Sequence, residues 1–511
     1  MSTAITVFDG GKCVGGNKIY VQSGDTGVFL DFGINYRRLG EFYEEFLSPR
    51  PSRGIHDLVQ TGQIPRLNIY RKDLIPGDLD VSTMPKLKVD AVFLSHAHMD
   101  HAGRASCIDA DVPFVSSPVT AAILKAFRDC VSDIEYEATY SAPRKLLESD
   151  SRILQMTDRK NAPLVGRDFI ITGICSEDFR DFWCSCPGSR DIEPGELMSC
   201  DSFDFEFKHF EVDHSIYGAN AYAIETDAGW VVYTGDFRVH GRFKEKSRRF
   251  LEEARKLNPK VLIVEGTRMT RGSGEDSEEE VKKNCLESTM DEKGLVIADF
   301  SPRNFERLDT FRDVARETDR QLVVLTKDAY FLDAIENVDY AERMKDVLIY
   351  KDLKVKMQSF ESEVYEKHRG RLIDPMEIAQ SPGSYIVCFS FWDMSRLLDI
   401  EPKGGTYIYS SSEAYTEEQV IDFMRLWNWL SFFNLRVRGF EIIERDGKLL
   451  PEFARGFHAS GHASRKDLID AVKRIAPEIV IPVHTEKPNE FLGLDIFKVV
   501  LPQEGIPIKV S

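Results

Sequence analysis

Residues 95 to 101 read Ser-His-Ala-His-Met-Asp-His and directly follow the apolar run Ala91-Val-Phe-Leu94. Three imidazoles and one carboxylate therefore crowd into six positions where a strand would meet a turn. His and Asp suit zinc or a similar divalent ion, and a ligand set without thiolate favours an open catalytic site over a closed structural one. The spacing H-x-H-x-D-H thus predicts a metal centre at the end of a strand.

Four more acidic or imidazole residues stand at the carboxyl ends of β-branched or aromatic runs. These four are Asp31, His214, Asp236 and His484. Each alone is a weak signal, but strand ends of an α/β sheet are where loops bring functional side chains together. Because all four occur in this order along one chain, each strengthens the evidence from the others for a metal site.

These motifs together resemble those of the metallo-β-lactamase superfamily. The resemblance implies two zinc ions per chain, with Mn²⁺ as a substitute, which activate a shared water as a hydroxide nucleophile. It implies three ligands for each ion, one carboxylate that bridges the two ions, and one carboxylate that orients the metal-binding histidines without binding an ion itself. The ligands implied for one ion are His96, His98 and His214, and those for the other are Asp100, His101 and His484. Asp236 is the implied bridging carboxylate, and Asp31 is the implied supporting one.

A second group of motifs resembles the β-CASP branch of that superfamily, the nucleases of ribonuclease J and mRNA 3′-end-processing type. Glu265 ends the run Val261-Leu-Ile-Val-Glu265, His462 stands in His458-Ala-Ser-Gly-His462, and His484 follows. The resemblance implies that His462 protonates the leaving 3′ oxygen or stabilises its charge, held and charged by Glu265. Asp100 completes the expected catalytic set.

The substrate is predicted from the last of these motifs, because a His at this point marks the RNA-cleaving members of the branch. We therefore expect a zinc-dependent ribonuclease that acts on single-stranded RNA in processing or degradation. The sequence is compatible with endonuclease action, with 5′-to-3′ exonuclease action, and with a homodimer. Candidate substrate-binding residues are His458, Ser460, Ser410, Ser411 and Arg303.

Three other functions are alternatives to this prediction. A single-strand DNA nuclease of the same fold is disfavoured by His484. A small-substrate metallo-hydrolase would need neither the Glu265 and His462 pair nor an inserted domain. An inactive nucleic-acid-binding subunit would be expected to have lost ligands, and the sequence retains all of them.

The expected fold is α/β, an αββα metallo-β-lactamase sandwich with an inserted β-CASP domain built on a doubly wound parallel sheet. Helical runs, such as the one predicted over 118–136, separate strand-like runs at 18–34, 89–116, 166–174, 203–234 and 260–264. From 270 to 450, strands alternate with helices. The aromatic helix over 419–433 is expected to lie in the core. We predict the sandwich over 1–269, the insertion over 270–450, starting in a Gly- and Ser-rich linker at 272–277, and completion of the sandwich over 451–511.

Composition fits a large cytoplasmic enzyme, with 42% hydrophobic and 29% charged residues and no apolar run long enough for a membrane span. The net charge of −18 opposes binding of a polyanion. We therefore expect local basic clusters, such as Arg303 with Arg307 and Arg436 with Arg438, to contact RNA. Cys175, Cys184, Cys186 and Cys200 have spacings unlike zinc knuckles and are expected to be free or buried thiols.

Overall fold

The computed structural model of the chain describes residues 3–44, 46–157, 162–203, 205–270, 277–411, 417–445, 448–494 and 497–511. Strands and helices alternate over most of this length, which confirms the mixed α/β fold predicted from the sequence. The Gly- and Ser-rich linker expected at 272–277 falls almost wholly outside the described residues.

Two mixed sheets combine strands from the beginning and the end of the chain. Over the described residues and in spatial order, the eight-stranded sheet comprises Leu197–Ser199, Phe169–Ile171, Phe114–Ser116, Ala91–Phe93, Thr26–Phe32, Lys18–Ser23, Thr3–Asp9 and Ile508–Val510. In the same order and over the same residues, the six-stranded sheet comprises Phe207–Glu211, Asn220–Thr226, Gly229–Tyr233, Val261–Glu265, Ile479–Val483 and Lys498–Val499.

The two sheets pack face to face because their strands alternate apolar side chains between two cores. Val261 and Ile263 point into the core between the sheets, whereas Leu262 and Val264 point outward. This alternation is the period of two that a pleated strand imposes. Helices Lys244–Lys256 and Arg465–Ile475 cover the outer face of the six-stranded sheet, and helix Pro118–Cys130 covers that of the eight-stranded sheet.

A third sheet of seven strands is parallel throughout its described residues. In spatial order its strands are Leu372–Ile373, Val347–Tyr350, Gln321–Val324, Tyr385–Cys388, Leu295–Asp299, Gly405–Tyr409 and Leu435–Arg438. Both faces are buried, as expected of a parallel sheet. The longer helices around it are Glu278–Met290, Phe305–Glu317, Thr326–Asp339, Ser359–Lys367, Pro375–Gln380 and Glu417–Phe432.

The chain leaves the six-stranded sheet for the seven-stranded sheet and then returns to the neighbouring position. Strand Val261–Glu265 pairs in parallel with Ile479–Val483, and every strand of the parallel sheet lies between them in sequence. Phe127 and Phe331 pack edge to face with ring centroids 4.6 Å apart, so one apolar core joins the two parts. The parallel sheet is therefore fixed beside the strand ends that carry Glu265 and His484.

Several local predictions can be compared with the structure. The helix predicted over 118–136 is too long, because it ends at Cys130, Val131 is extended, and a separate turn covers Ile134–Tyr136. The aromatic helix over 417–432 is confirmed as core, with Phe423, Leu426 and Leu430 buried. Over the described ranges, no helix is long and apolar enough to cross a membrane.

Candidate metal centre and adjoining cavity

The His-rich run forms the turn between strand Ala91–Phe93 and the short helix Met99–Ala102. The turn is pressed against neighbouring loops, since the Gly16 amide donates to the Asp100 carbonyl at 2.9 Å. A Cβ on Gly33 would lie 1.7 Å from the same carbonyl oxygen, so only glycine fits there. Close backbone packing thus fixes where the side chains of the run point.

Three imidazoles converge on one side of this turn. His98 Nδ1 lies 3.0 Å from His96 Nε2 and 3.2 Å from His214 Nε2. A tetrahedral ion with ligand bonds of about 2.0–2.1 Å separates its ligand atoms by about 3.3 Å. The three nitrogens therefore have the mutual spacing of ligands to one ion.

A second group lies on the other side of Asp236. His101 Nε2 is 3.1 Å from Asp236 Oδ2 and 3.2 Å from His484 Nε2, which in turn is 3.3 Å from Asp100 Oδ2. Asp236 Oδ2 is also 4.0 Å from His96 Nε2, so this carboxylate stands between the two groups. The structure thus brings together all seven residues that the sequence singled out as ligands.

The ring nitrogens that face away from these clusters are held by hydrogen bonds. Asp31 lies 2.7 Å from His101 Nδ1 and also accepts from the Ser95 amide, the Ser95 hydroxyl and the Tyr233 hydroxyl. Asp31 reaches these donors from a left-handed backbone conformation with φ of 57°. The sequence identified Asp31 but gave no signal for Ser95 or Tyr233.

Two further contacts orient histidines of the cluster. His214 Nδ1 lies 2.6 Å from the Gly461 carbonyl, and His484 Nδ1 lies 2.8 Å from the Thr267 hydroxyl. A carbonyl can only accept, so His214 carries its proton on Nδ1 and directs the lone pair of Nε2 into the cluster. Neither contact has a sequence signature, because each joins residues more than 200 positions apart.

The electrostatics of the cluster favour a cation. Burial, followed by the charges of neighbouring groups, lowers the pKa of His96 and His214, and burial lowers that of His98 to about 4. These rings are therefore neutral, which is the form that binds metal. Burial also opposes charge on His101, but the carboxylates of Asp236, Asp100 and Asp31 outweigh it and raise its pKa.

The residues present fit a metal centre on two independent grounds. First, the nitrogens of the neutral rings of His96, His98 and His214 converge, and these rings carry too few N–H protons for every converging nitrogen to be hydrogen-bonded. In addition, Asp236 Oδ1 is buried and has no hydrogen-bond partner in the described part of the chain, a state that a cation relieves. The set contains nitrogen and carboxylate oxygen but no sulfur, as in catalytic zinc sites.

His462 lies at the edge of the metal-ligand cluster, where its ring and the Glu265 carboxylate converge with Asp236 and His484. Its Nδ1 is 3.0 Å from Glu265 Oε2 and 3.7 Å from Asp236 Oδ2, and about a fifth of its side chain is exposed. Burial opposes charge on the ring, but Glu265 and Asp236 together raise its pKa to about 9. Glu265 is fixed in turn by the Phe237 amide, which donates to Oε1 at 3.1 Å. A protonated imidazole is thereby held at the edge of the centre.

A cavity of about 610 Å³ opens over His98, Asp100 and His462. Four of the five predicted substrate-binding residues line it, namely Ser410, Ser411, His458 and Ser460. His458 Nδ1 is buried and has no partner among the described residues. The Ser410 hydroxyl, by contrast, accepts from Arg307 and donates to the Phe457 carbonyl. Tyr36, Asn304 and Lys487 also line the cavity and were not anticipated.

The expected basic clusters are only partly available to a ligand. Arg307 is completely buried against Glu278 and Ser410, so the prediction that it contacts RNA is wrong. Arg303 is half-buried, with its guanidinium 4.8 Å from the centre of the Phe127 ring. Arg436 is exposed but pairs with Glu292 at 2.6 Å. Burial of a charge requires partners, and sequence proximity to a motif does not reveal them.

The four clustered cysteines do not form a metal site. Each is a free thiol, and no group of potential ligands found in the described ranges includes a cysteine. Burial raises the pKa of Cys175, Cys186 and Cys200, so these thiols are poor nucleophiles.

Comparisons with known proteins point to one family. Residues 454–489 match the RMMBL family, described as the Zn-dependent metallo-hydrolase RNA specificity domain. Ribonuclease J of Pyrococcus abyssi is 22% identical over 99% of this chain and 93% of its own length, and that of Methanocaldococcus jannaschii is 20% identical over 95% and 91%. A solved structure from Enterococcus faecalis V583, titled as a protein of unknown function, covers both chains completely with a TM-score of 0.68 and 20% identity.

The fold and the histidine- and carboxylate-rich centre define a protein of the metallo-hydrolase class. Within that class the matches extend over essentially the whole chain and include the segment that carries His458, His462 and His484. The chain is thus similar over essentially its whole length to proteins named ribonuclease J, and its residues 454–489 match an RNA specificity domain of Zn-dependent metallo-hydrolases.

Proposed function

We propose that the protein is a zinc-dependent ribonuclease that hydrolyses phosphodiester bonds of single-stranded RNA with two bound ions. The observation that carries this proposal is the Glu265 and His462 pair, 3.0 Å apart, at the edge of a cluster of seven convergent ligands. A metal centre explains hydrolysis in general, whereas a separate protonated imidazole meets the need of a poor leaving group such as a ribose oxygen. The RNA specificity domain match over 454–489 and relatives named ribonuclease J support RNA as the substrate.

We assign His96, His98 and His214 to one ion and Asp100, His101 and His484 to the other, with Asp236 between them. Two of the four convergent ligand groups among the described residues support this division. When bound, two such ions lower the pKa of a water to near neutrality and neutralise charge on phosphate oxygens. The chain's own residues supply the remaining steps. Asp31, Thr267 and the Gly461 carbonyl orient the imidazoles.

His462 gives its proton to the leaving 3′ oxygen, and Glu265 keeps the ring charged and correctly oriented. The cavity beside it holds the phosphate chain, with the unpartnered His458 Nδ1 and the hydroxyls of Ser411 and Ser460 as contacts. Arg303 does not line the cavity, but its charge acts on His98 and contributes to neutralising the phosphate chain near the site. We assign the seven-stranded parallel sheet within 270–450 to the β-CASP insertion and the flanking segments, 1–269 and 451–511, to the metallo-β-lactamase sandwich.

Digestion of one RNA labelled at the 5′ end and one labelled at the 3′ end tests the function. We expect cleavage of both RNAs and little cleavage of DNA of the same sequence, with two zinc ions per chain measured in the same sample. The size distribution of labelled products separates endonuclease from 5′-to-3′ exonuclease action. Equal cleavage of DNA would favour a single-strand DNA nuclease, and cleavage of small esters alone would favour a small-substrate hydrolase. Sizing of the same sample measures whether two chains associate, and fractionation of cells tests the expected cytoplasmic location.

A further inference from the structure

Arg238 is completely buried between the metal centre and the parallel sheet, two residues after Asp236. Its guanidinium donates to Asp213 at 3.2 Å, to Glu278 at 3.1 Å and to Glu306. The same group also donates to the backbone carbonyl of Ser460 at 3.1 Å. A buried guanidinium with this many acceptors is held in one orientation, since its donors form a rigid planar fork.

The Ser460 carbonyl belongs to the turn that carries His462. The Ser460 hydroxyl accepts from the His462 amide at 3.2 Å, and the next carbonyl, that of Gly461, accepts from His214. A Cβ on Gly461 would lie 2.8 Å from His214 Cε1, so this turn has no room to shift toward the ligand cluster. Arg238 holds the same turn through its hydrogen bond to the Ser460 carbonyl.

Arg238 is also connected to the parallel sheet through a shared carboxylate. Glu278, the first residue of helix Glu278–Met290, accepts from Arg238 at 3.1 Å and from Arg307 at 3.0 Å. Arg307 in turn donates to the Ser410 carbonyl at 2.6 Å and to the Phe457 carbonyl at 3.1 Å. Two buried arginines and one glutamate thus link the end of strand Gly405–Tyr409 to both ends of the segment 457–460.

We propose that Arg238 is a positioning residue for the proton donor of the reaction: it fixes the Ser460–His462 turn so that the His462 ring meets the leaving oxygen. This inference rests on the proposed ribonuclease function. Arg238 is completely buried and does not line the cavity, so it influences proton donation through the position of His462 and not by touching the substrate. A displacement of about 1 Å at a catalytic group lowers the rate by about 10²-fold.

The test is the dependence of the rate on the leaving group. Arg238→Lys keeps the charge but replaces the planar fork by a single ammonium. We expect kcat on RNA to fall by about 10²-fold with KM little changed, whereas kcat on bis-p-nitrophenyl phosphate falls by no more than about threefold, because p-nitrophenolate leaves without a proton donor. In the His462→Ala background, Arg238→Lys should have almost no further effect on RNA cleavage, since both changes remove one contribution.

Arg71→Lys is the matched control, because Arg71 is also buried and its guanidinium binds Asp73 and Glu137, neither of which belongs to the metal centre. It should lower stability as Arg238→Lys does and leave the ratio of the two rates unchanged. Should Arg238→Lys fail to fold, Glu278→Gln, which keeps both arginines, must show the same selective loss at about tenfold on RNA.

Equal losses on the two substrates, a loss of zinc, or additive effects with His462→Ala would overturn the inference. If wild-type protein does not cleave RNA, the proposed function fails and the inference falls with it. If wild type and His462→Ala behave as proposed but Arg238→Lys resembles Arg71→Lys, only the inference fails.

Discussion

The Asp31 carboxylate lies 2.7 Å from His101 Nδ1, which leaves Nε2 of the same ring facing Asp236 and His484. A carboxylate in this position accepts the Nδ1 proton and makes Nε2 the electron-pair donor. The identity of the donor nitrogen in His101 is thus set by a residue 70 positions earlier in the chain.

Asp31→Asn is expected to weaken zinc binding by about 10–100-fold, because an amide holds the imidazole less strongly and reduces its basicity. Competition with a chromogenic chelator measures the affinity. Tyr233→Phe serves as the control, since it removes one hydrogen bond to Asp31 and leaves the contact with His101 in place; its effect should be smaller. Equal zinc affinity in wild type and Asp31→Asn would show that Asp31 does not act on the metal centre.

Asp100→Ala and His101→Ala are each expected to abolish RNA cleavage while the fold stays intact. Both side chains belong to the second ligand group, and loss of one ligand removes the ion that completes the pair. Circular dichroism checks the fold, and elemental analysis counts the ions. Wild-type protein purified without chelators and found to contain well under one zinc per chain would contradict the whole assignment.

His462→Ala is expected to lower turnover on RNA by about 10²-fold or more with zinc content near that of wild type. Glu265→Gln should have the same kind of effect at smaller size, because the ring stays in place but loses the carboxylate that raises its pKa. Initial rates and zinc analysis of the three proteins measure both quantities. Zinc lost from His462→Ala would make this residue a ligand instead.

RNA binding is expected to fall steeply with salt, since a protein of net charge −18 can hold the strand only through a few local cations, each releasing counterions. Arg303→Ala should weaken binding more than it slows hydrolysis of bis-p-nitrophenyl phosphate and reduce the salt slope by about one. Arg438 is exposed and forms no ion pair with any described residue, whereas Arg436 pairs with Glu292. Arg438→Ala should therefore affect binding more than Arg436→Ala, as measured by titration at several salt concentrations. Binding that is indifferent to salt, with DNA cleaved as fast as RNA, would contradict the prediction.

Stability is expected to fall as pH rises through neutrality because of Asp299. Burial raises the pKa of this carboxyl to about 7, so the folded chain keeps a proton that the unfolded chain loses near pH 4. Between these values the unfolded state binds fewer protons, and the free energy of unfolding decreases with pH. Asp299→Asn should therefore show a smaller drop in Tm from pH 6 to pH 8 than wild type does. The exposed Asp181→Asn is the control, and equal drops in all three proteins would contradict the assignment.

The sequence by itself determined the chemistry of the centre. Six consecutive positions hold four metal-binding side chains, those of His96, His98, Asp100 and His101. A run of this kind rarely has a role other than metal binding. Glu265 ends an apolar strand, and Asp236 and His484 follow the ends of two others, so their place at the carboxyl ends of strands was predictable from periodicity. The mixed α/β fold followed from the same alternation of strands and helices.

Only the tertiary structure decided what holds these residues in place. Ser95, Tyr233, Thr267 and the Gly461 carbonyl act on the histidines through contacts that depend on how distant segments pack, and such residues are common in any sequence. The same holds for Arg307. Its sequence position near a motif predicted an accessible cation, but the side chain is buried and pairs with Glu278. Residue type and local spacing determine which chemistry is available, whereas burial and hydrogen-bond partners are properties of the assembled chain, because they arise from contacts between residues far apart in sequence.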